Sequence, residues 1–121
     1  MSTKTVLVAD DNHDNRYIIG QMLEVNGFKV IYARNGREAI EQVSAQRPSL
    51  VFMDLSMPEV DGWTATRTIK AEPAIAHTPI IAVTGHVTPA DIQHASSVGC
   101  SDVLTKPFEY DDLIRKVRKL I

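Results

Sequence analysis

The stretch LVFMD, residues 50–54, and the LSMPEVDG that follows it at 55–62 decide how this chain folds. A short, unbroken apolar run bounded by turn formers reads as a strand buried on both faces, the pattern of a parallel sheet. The run stops at an acid, Asp54, and three other runs stop in a similar way. Val6-Leu-Val-Ala leads into Asp10-Asp11, Ile80-Ile-Ala-Val into Thr84, and Asp102-Val-Leu-Thr into Lys106. In neighbouring parallel strands the carboxyl ends share one edge of the sheet. Three carboxylates, a hydroxyl and an ammonium are therefore expected to gather there.

Helical patterns fill the gaps. From Asp14 to Val25 the apolar residues Ile18, Ile19, Met22, Leu23 and Val25 fall at helical spacing, and Asn26-Gly27 is a stop signal. Phe28 to Ala33 reads as a strand. Asn35-Gly36-Arg37-Glu38 then resembles a capping box opening a second helix with Ala39, Ile40 and Val43 inward, and Pro48 closes that unit. Trp63, Thr66 and Ile69 carry a third helix, and Pro73 and Pro79 bracket the connection after it. Thr88-Pro89-Ala90-Asp91 puts a hydroxyl at the N-cap, proline at the first helical position and an acid in the first turn, with Gly99 at the far end. The last helix is expected to bury Leu113, Ile114, Val117 and Leu120 and to turn Arg115, Lys116, Arg118 and Lys119 outward.

Strands alternating with helices imply right-handed crossovers onto a parallel sheet covered on both faces. The expected class is α/β, a flavodoxin-like doubly wound (βα)5 fold with five parallel strands in the order 2-1-3-4-5. Its ligand site lies at the carboxyl edge, where the strand order reverses.

With 121 residues the chain is expected to form one domain, 1–121, with a single core. A formal charge of -2 and near-average hydrophobic content give no general pull toward nucleic acid or an anionic membrane. The basic residues from Arg115 to Lys119 read as a solvated helix end that complements the macrodipole. The start Met-Ser-Thr-Lys lacks a secretory pattern, no segment approaches the roughly 20 apolar residues of a membrane span, and the lone Cys100 has no internal partner. Cytoplasmic placement is the expectation. Cys100 reads as a small packed thiol, and Trp63 as helix packing near the site.

Asp10 and Asp11 brought beside Asp54 in a partly desolvated cleft repel one another, and a divalent cation resolves the conflict. Hard oxygen ligands without histidine or thiolate favour Mg²⁺, with Mn²⁺ as the alternative; His13, His77, His86 and His94 show no ligand spacing. A carboxylate beside such a cation can attack phosphorus and become an aspartyl phosphate. Lys106 and the Thr84 hydroxyl suit the oxygens of that product.

Taken together, these residues resemble the receiver domain of bacterial two-component response regulators over essentially the whole chain. Asp10-Asp11 is similar to the family's acidic pair. Met53-Asp54 with Met57-Pro58 and Asp61-Gly62 is similar to its phosphoacceptor strand and loop. Thr84-Gly85 matches the switch hydroxyl and its small neighbour, and Lys106-Pro107-Phe108 the phosphate-sensing lysine. The resemblance implies Asp54 as phosphoacceptor, Asp11 as a direct metal ligand, Asp10 as a ligand largely through water, and the Ser56 backbone carbonyl as a further ligand. It also implies a cis Lys106–Pro107 bond. The donor is then a histidine kinase or a histidine phosphotransfer protein, the output an altered surface offered to a downstream protein, and the chain a monomer or weak dimer that is not an enzyme. Ser56 and His86 flank the expected path of hydrolytic water. Val103 departs from the family, which often has Tyr or Phe three residues before the lysine, so the usual aromatic relay is not expected.

Taken singly, each feature has an ordinary reading: a turn with an N-cap for Asp10-Asp11, a strand-end acid for Asp54, a loop hydroxyl for Thr84, a surface lysine for Lys106. Their joint placement favours the site. Three alternatives stay open: a module cut from a hybrid histidine kinase or longer regulator, an unphosphorylated pseudo-receiver, and a metal-dependent phosphohydrolase. The last needs an acid two residues beyond Asp54, where Ser56 stands. The complete set of five polar groups argues against a pseudo-receiver.

Overall fold

The computed structural model describes residues 3–55, 57, 60–85 and 88–121. Five strands, β1 (Thr5–Ala9), β2 (Lys29–Ala33), β3 (Leu50–Asp54), β4 (Ile80–Thr84) and β5 (Asp102–Thr105), alternate with five helices. These are α1 (His13–Glu24), α2 (Gly36–Gln46), α3 (Gly62–Ala71), α4 (Pro89–Val98) and α5 (Tyr110–Leu120). All pairings are parallel, as the alternation predicts, and the order is the expected β2-β1-β3-β4-β5. No helix among the described residues is long and apolar enough to cross a membrane.

The period-two geometry of a strand sorts the core into layers. Val6, Val8, Phe52, Val83 and Leu104 point to one face, where they meet Ile19 and Leu23 of α1 and Leu113, Ile114 and Val117 of α5. Leu7, Ala9, Val51 and Met53 point to the other and meet Ala39 and Val43 of α2 and Ala65 and Ile69 of α3. A smaller group, Leu55, Ala82 and Ala95 with Trp63 and Val103 against it, seats α4. All of β3 is buried, which is why its sequence has no polar alternation before Asp54. Each fully buried large side chain contributes about 1.5–3 kcal/mol relative to exposure.

Local chemistry sets the helix starts. Asn12, Asn35, Asp61 and Thr88 are N-caps whose side chains accept from Asn15, Glu38, Thr64 and Asp91 backbone N–H groups respectively. The Thr88–Asp91 pair forms a full reciprocal capping box behind Pro89, and Gly99 closes α4 in the left-handed region at φ 107°.

Three expectations are corrected. The Asn35–Glu38 box is only half formed: the Glu38 carboxylate takes the Arg34 backbone N–H and guanidinium, a charge-assisted partner that outcompetes the N-cap amide. Lys116 does not simply face outward but turns half-buried to Asp102, 3.2 Å away. Leu120 is half-buried, because it sits at the end of the helix where the sheet beneath runs out. The apolar residues of α1 and its C-cap span more than one face, so that Ile19 and Leu23 are buried while Ile18 and the capping Val25 are exposed.

Candidate functional site

The order reversal at β1 and β3 sends α1 to one face of the sheet and α3 to the other, leaving a crevice at the carboxyl ends of these two strands. Ala9 is paired with Met53, so the next position on each strand sets Asp10 beside Asp54. Asp10, Asp11 and Asp54 each present a carboxylate oxygen within 4.8 Å of the others. Asp10 and Asp54 are buried and Asp11 is exposed, so the cluster has a closed floor and an open lip.

Lys106, just beyond β5, reaches across this floor. Its Nζ lies 3.2 Å from Asp10 Oδ2 and 3.6 Å from Asp54 Oδ2. Its backbone N–H donates to the Thr84 carbonyl at 2.7 Å, and the Lys106–Pro107 bond is cis. The ends of β4 and β5 are thereby joined beside the acids, with Thr84 one residue past the Asp54–Val83 rung. Three carboxylates and one ammonium give the cluster a formal excess of negative charge, and among the described residues neither histidine nor cysteine belongs to it. That all-oxygen donor set fits a hard divalent cation.

Sequence reasoning located Asp10, Asp11, Asp54, Thr84 and Lys106, and the structure brings the three acids and the lysine into contact range. Ser56 and His86 lie outside the described residues, as does Pro58 of the loop.

Three further residues have a stake in the site: Arg16 and Asn12, which no motif marked, and Gly62 of the family-like Asp61-Gly62 pair. Arg16, on the second turn of α1, donates from Nη1 to the Asp10 carbonyl at 2.7 Å. Asn12 caps α1 while its own N–H donates to Asp10 Oδ1 at 2.9 Å. Gly62 sits so close to the Asp54 carbonyl that a Cβ has no room. The signals were present as an Asx residue before a helix and as a glycine at a helix start; nothing in spacing alone marks Arg16.

Around the site, Trp63 packs edge-on to His94 of α4 with ring centroids 4.3 Å apart. Behind it, burial pushes the Cys100 thiol pKa up, in keeping with a packed, unreactive side chain.

Residues 6–118 match the family described as the response regulator receiver domain. The chain belongs to that family. Among its relatives, the polar-differentiation response regulator DivK of Brucella anthropi is 30% identical over 118 residues, covering 98% of this chain and 96% of the relative. The chemotaxis protein CheY4 of Vibrio cholerae superposes with a TM-score of 0.93 at 26% identity, covering 99% of this receiver chain and 100% of the other. The receiver domain of a sensor histidine kinase from Pseudomonas aeruginosa superposes with a TM-score of 0.90 at 31% identity over 98% of each chain. That structure has a magnesium ion coordinated in its active-site cleft. The fold expected for this receiver, five parallel strands in the flavodoxin-like order, is thus shared with response regulators of known structure.

Proposed function

We propose that residues 1–121 act as one receiver unit that takes a phosphoryl group on Asp54 and passes the signal on through its surface. The observation that carries this reading is the convergence of three carboxylates within 4.8 Å on one ammonium, at the crevice where the strand order reverses. Asp10, Asp11 and Asp54 would hold Mg²⁺ or Mn²⁺, joined by the Ser56 carbonyl that the family likeness adds. Such a cation supplies charge neutralisation for the oxygens of the incoming phosphoryl group.

In the transfer, an Asp54 carboxylate oxygen attacks the phosphorus of a phosphohistidine on a histidine kinase or phosphotransfer protein. The O–P bond forms as the P–N bond breaks, and the bonding pair leaves on the imidazole nitrogen. The product is an acyl phosphate on Asp54 and a free histidine on the donor. Burial of Asp54 beside Lys106 limits water at the reacting oxygen, and the ammonium is placed to shift from carboxylate to phosphoryl oxygen. The Thr84 hydroxyl, at the end of the adjacent strand, donates to a second one. This signalling role, in the cytoplasm and as a monomer or weak dimer, serves a downstream protein and involves neither nucleic acid nor membrane.

Intact-mass spectrometry with Mg²⁺ and acetyl phosphate tests the assignment. The protein gains one phosphoryl group, and Asp54→Asn gains none. Labelling that persists in Asp54→Asn, or that maps to serine or histidine, refutes it.

A further inference from the structure

Arg16 is the one cation of α1 that reaches the acidic loop, and the part of the loop it touches is backbone. Its position follows from the helix start. Asn12 caps α1 by accepting the Asn15 N–H, and the Arg16 N–H makes the first turn bond to the Asn12 carbonyl. Side chains on a helix lean back toward the N-terminus, which aims a long residue on the second turn at the segment before the cap. The guanidinium arrives at the Asp10 carbonyl, 2.7 Å away.

That carbonyl has lost its place in the sheet. The Asp10 N–H still extends the β1–β2 ladder by donating to the Ala33 carbonyl at 3.1 Å. In a parallel ladder the Asp10 carbonyl would next take the N–H of Asn35, but Asn35 has turned away as the N-cap of α2. Arg16 supplies a donor at that point, where a buried carbonyl without one would be costly.

Asp10 is then held at every polar atom it has: N–H on Ala33, carbonyl under Arg16, Oδ1 under the Asn12 N–H and Oδ2 under Lys106. Asp11 is different. It is exposed, and among the described residues it makes no hydrogen bond or ion pair. Asp11 is joined to Asp10 by a planar peptide, and the oxygen of that peptide is the atom Arg16 grips.

We infer that Arg16 is a positioning residue for the metal site: by fixing the Asp10–Asp11 peptide plane it holds the exposed Asp11 carboxylate over the cleft and so raises the affinity for the divalent cation. The inference rests on the reading of Asp10, Asp11 and Asp54 as the cation site. A guanidinium acting only through its charge does the opposite, because a positive group near the acids weakens cation binding. The two roles therefore differ in sign.

Calorimetric titration with Mg²⁺ separates them, using wild type, Arg16→Met, Arg16→Gln and, as the control for the site itself, Asp11→Asn. Both Arg16 variants remove the charge, and only the glutamine keeps a donor. Loss of a group that orients a metal ligand costs on the order of tenfold in affinity, so Arg16→Met binds Mg²⁺ about tenfold more weakly, with Arg16→Gln between it and wild type. A role confined to fold stability would lower the melting temperature but leave this graded order of affinities absent at a temperature where all are folded. Arg16→Met or Arg16→Gln binding Mg²⁺ as tightly as wild type, or more tightly, overturns the inference while leaving the cation site intact. Should Arg16→Met not fold, Arg16→Gln alone still gives the sign. A wild-type protein that shows no Mg²⁺ binding, or binds equally well as Asp11→Asn, overturns the cation site and the inference with it.

Discussion

Replacing Lys106 by methionine keeps most of the side-chain volume and removes the charge between Asp10 and Asp54. The ammonium is 3.2 Å from one carboxylate and 3.6 Å from the other, with side-chain exposures of 27% for the lysine and 2% and 7% for the acids. At an effective dielectric of about 20 each attraction is on the order of 5 kcal/mol before desolvation is subtracted. Removing one partner of a buried pair, which strands the other charge, costs about 3–5 kcal/mol in practice. Taking the lower figure, because the lysine is partly exposed, Lys106→Met loses about 3 kcal/mol, or about 12 °C in melting temperature for a chain of this size. Urea and thermal denaturation in a chelator measure this directly. Adding saturating Mg²⁺ narrows the gap, since the cation replaces the missing charge and no longer competes with the ammonium; each tenfold gain in affinity of the variant recovers about 1.4 kcal/mol. Equal stability of variant and wild type in chelator, or a gap that Mg²⁺ leaves unchanged, refutes the view that Lys106 is the counter-ion of the acid cluster.

Two further outcomes follow from features nearby. The Arg34 guanidinium and backbone N–H hold the Glu38 carboxyl at a pKa of about 2, below its usual value, so the pair stabilises the fold fully above about pH 4.5 and loses its effect as pH falls through 2. Glu38→Gln therefore costs about 0.5–1 kcal/mol in urea at pH 7, discounted because Arg34 is largely exposed, and progressively less as pH falls from about 4.5 through 2; a cost that does not change with pH contradicts this. Gly62→Ala places a methyl group against the Asp54 carbonyl, and the rigid backbone there cannot yield, so the variant loses about 2 kcal/mol or more. Wild-type stability in Gly62→Ala would show that α3 starts farther from β3 than described.

The fold was legible because its signals are long-range consequences of short patterns. Runs such as Leu50–Met53 have no polar alternation, which only a two-sided sheet explains, and each run ends in a group with chemistry at the same edge. Where the reading slipped, a choice between competing partners was involved. Glu38 had two amides and a guanidinium within reach and took Arg34; Lys116 had water or Asp102 and took Asp102. Sequence spacing carries no information on such contests. The same limit hid Arg16, whose target is a backbone carbonyl that lacks a residue type; Gly62 was legible as part of a motif, but its close seat on the Asp54 carbonyl, an absence of atoms, was not. The site's acids and lysine were readable because their chemistry lies in their side chains.

The tight seat of Gly62 on the carbonyl of Asp54 has a practical corollary. The following residue, Trp63, is the sole indole of the chain, and its ring rests edge-on against the imidazole of His94 on another helix. A backbone adjustment at Asp54 would have only Gly62 and its bond to Trp63 between it and a chromophore that rests on a side chain of another helix. Occupancy of Asp54, as proposed, would then be followed by tryptophan emission without any attached dye; emission unchanged by acetyl phosphate and Mg²⁺ would show that the two are not coupled.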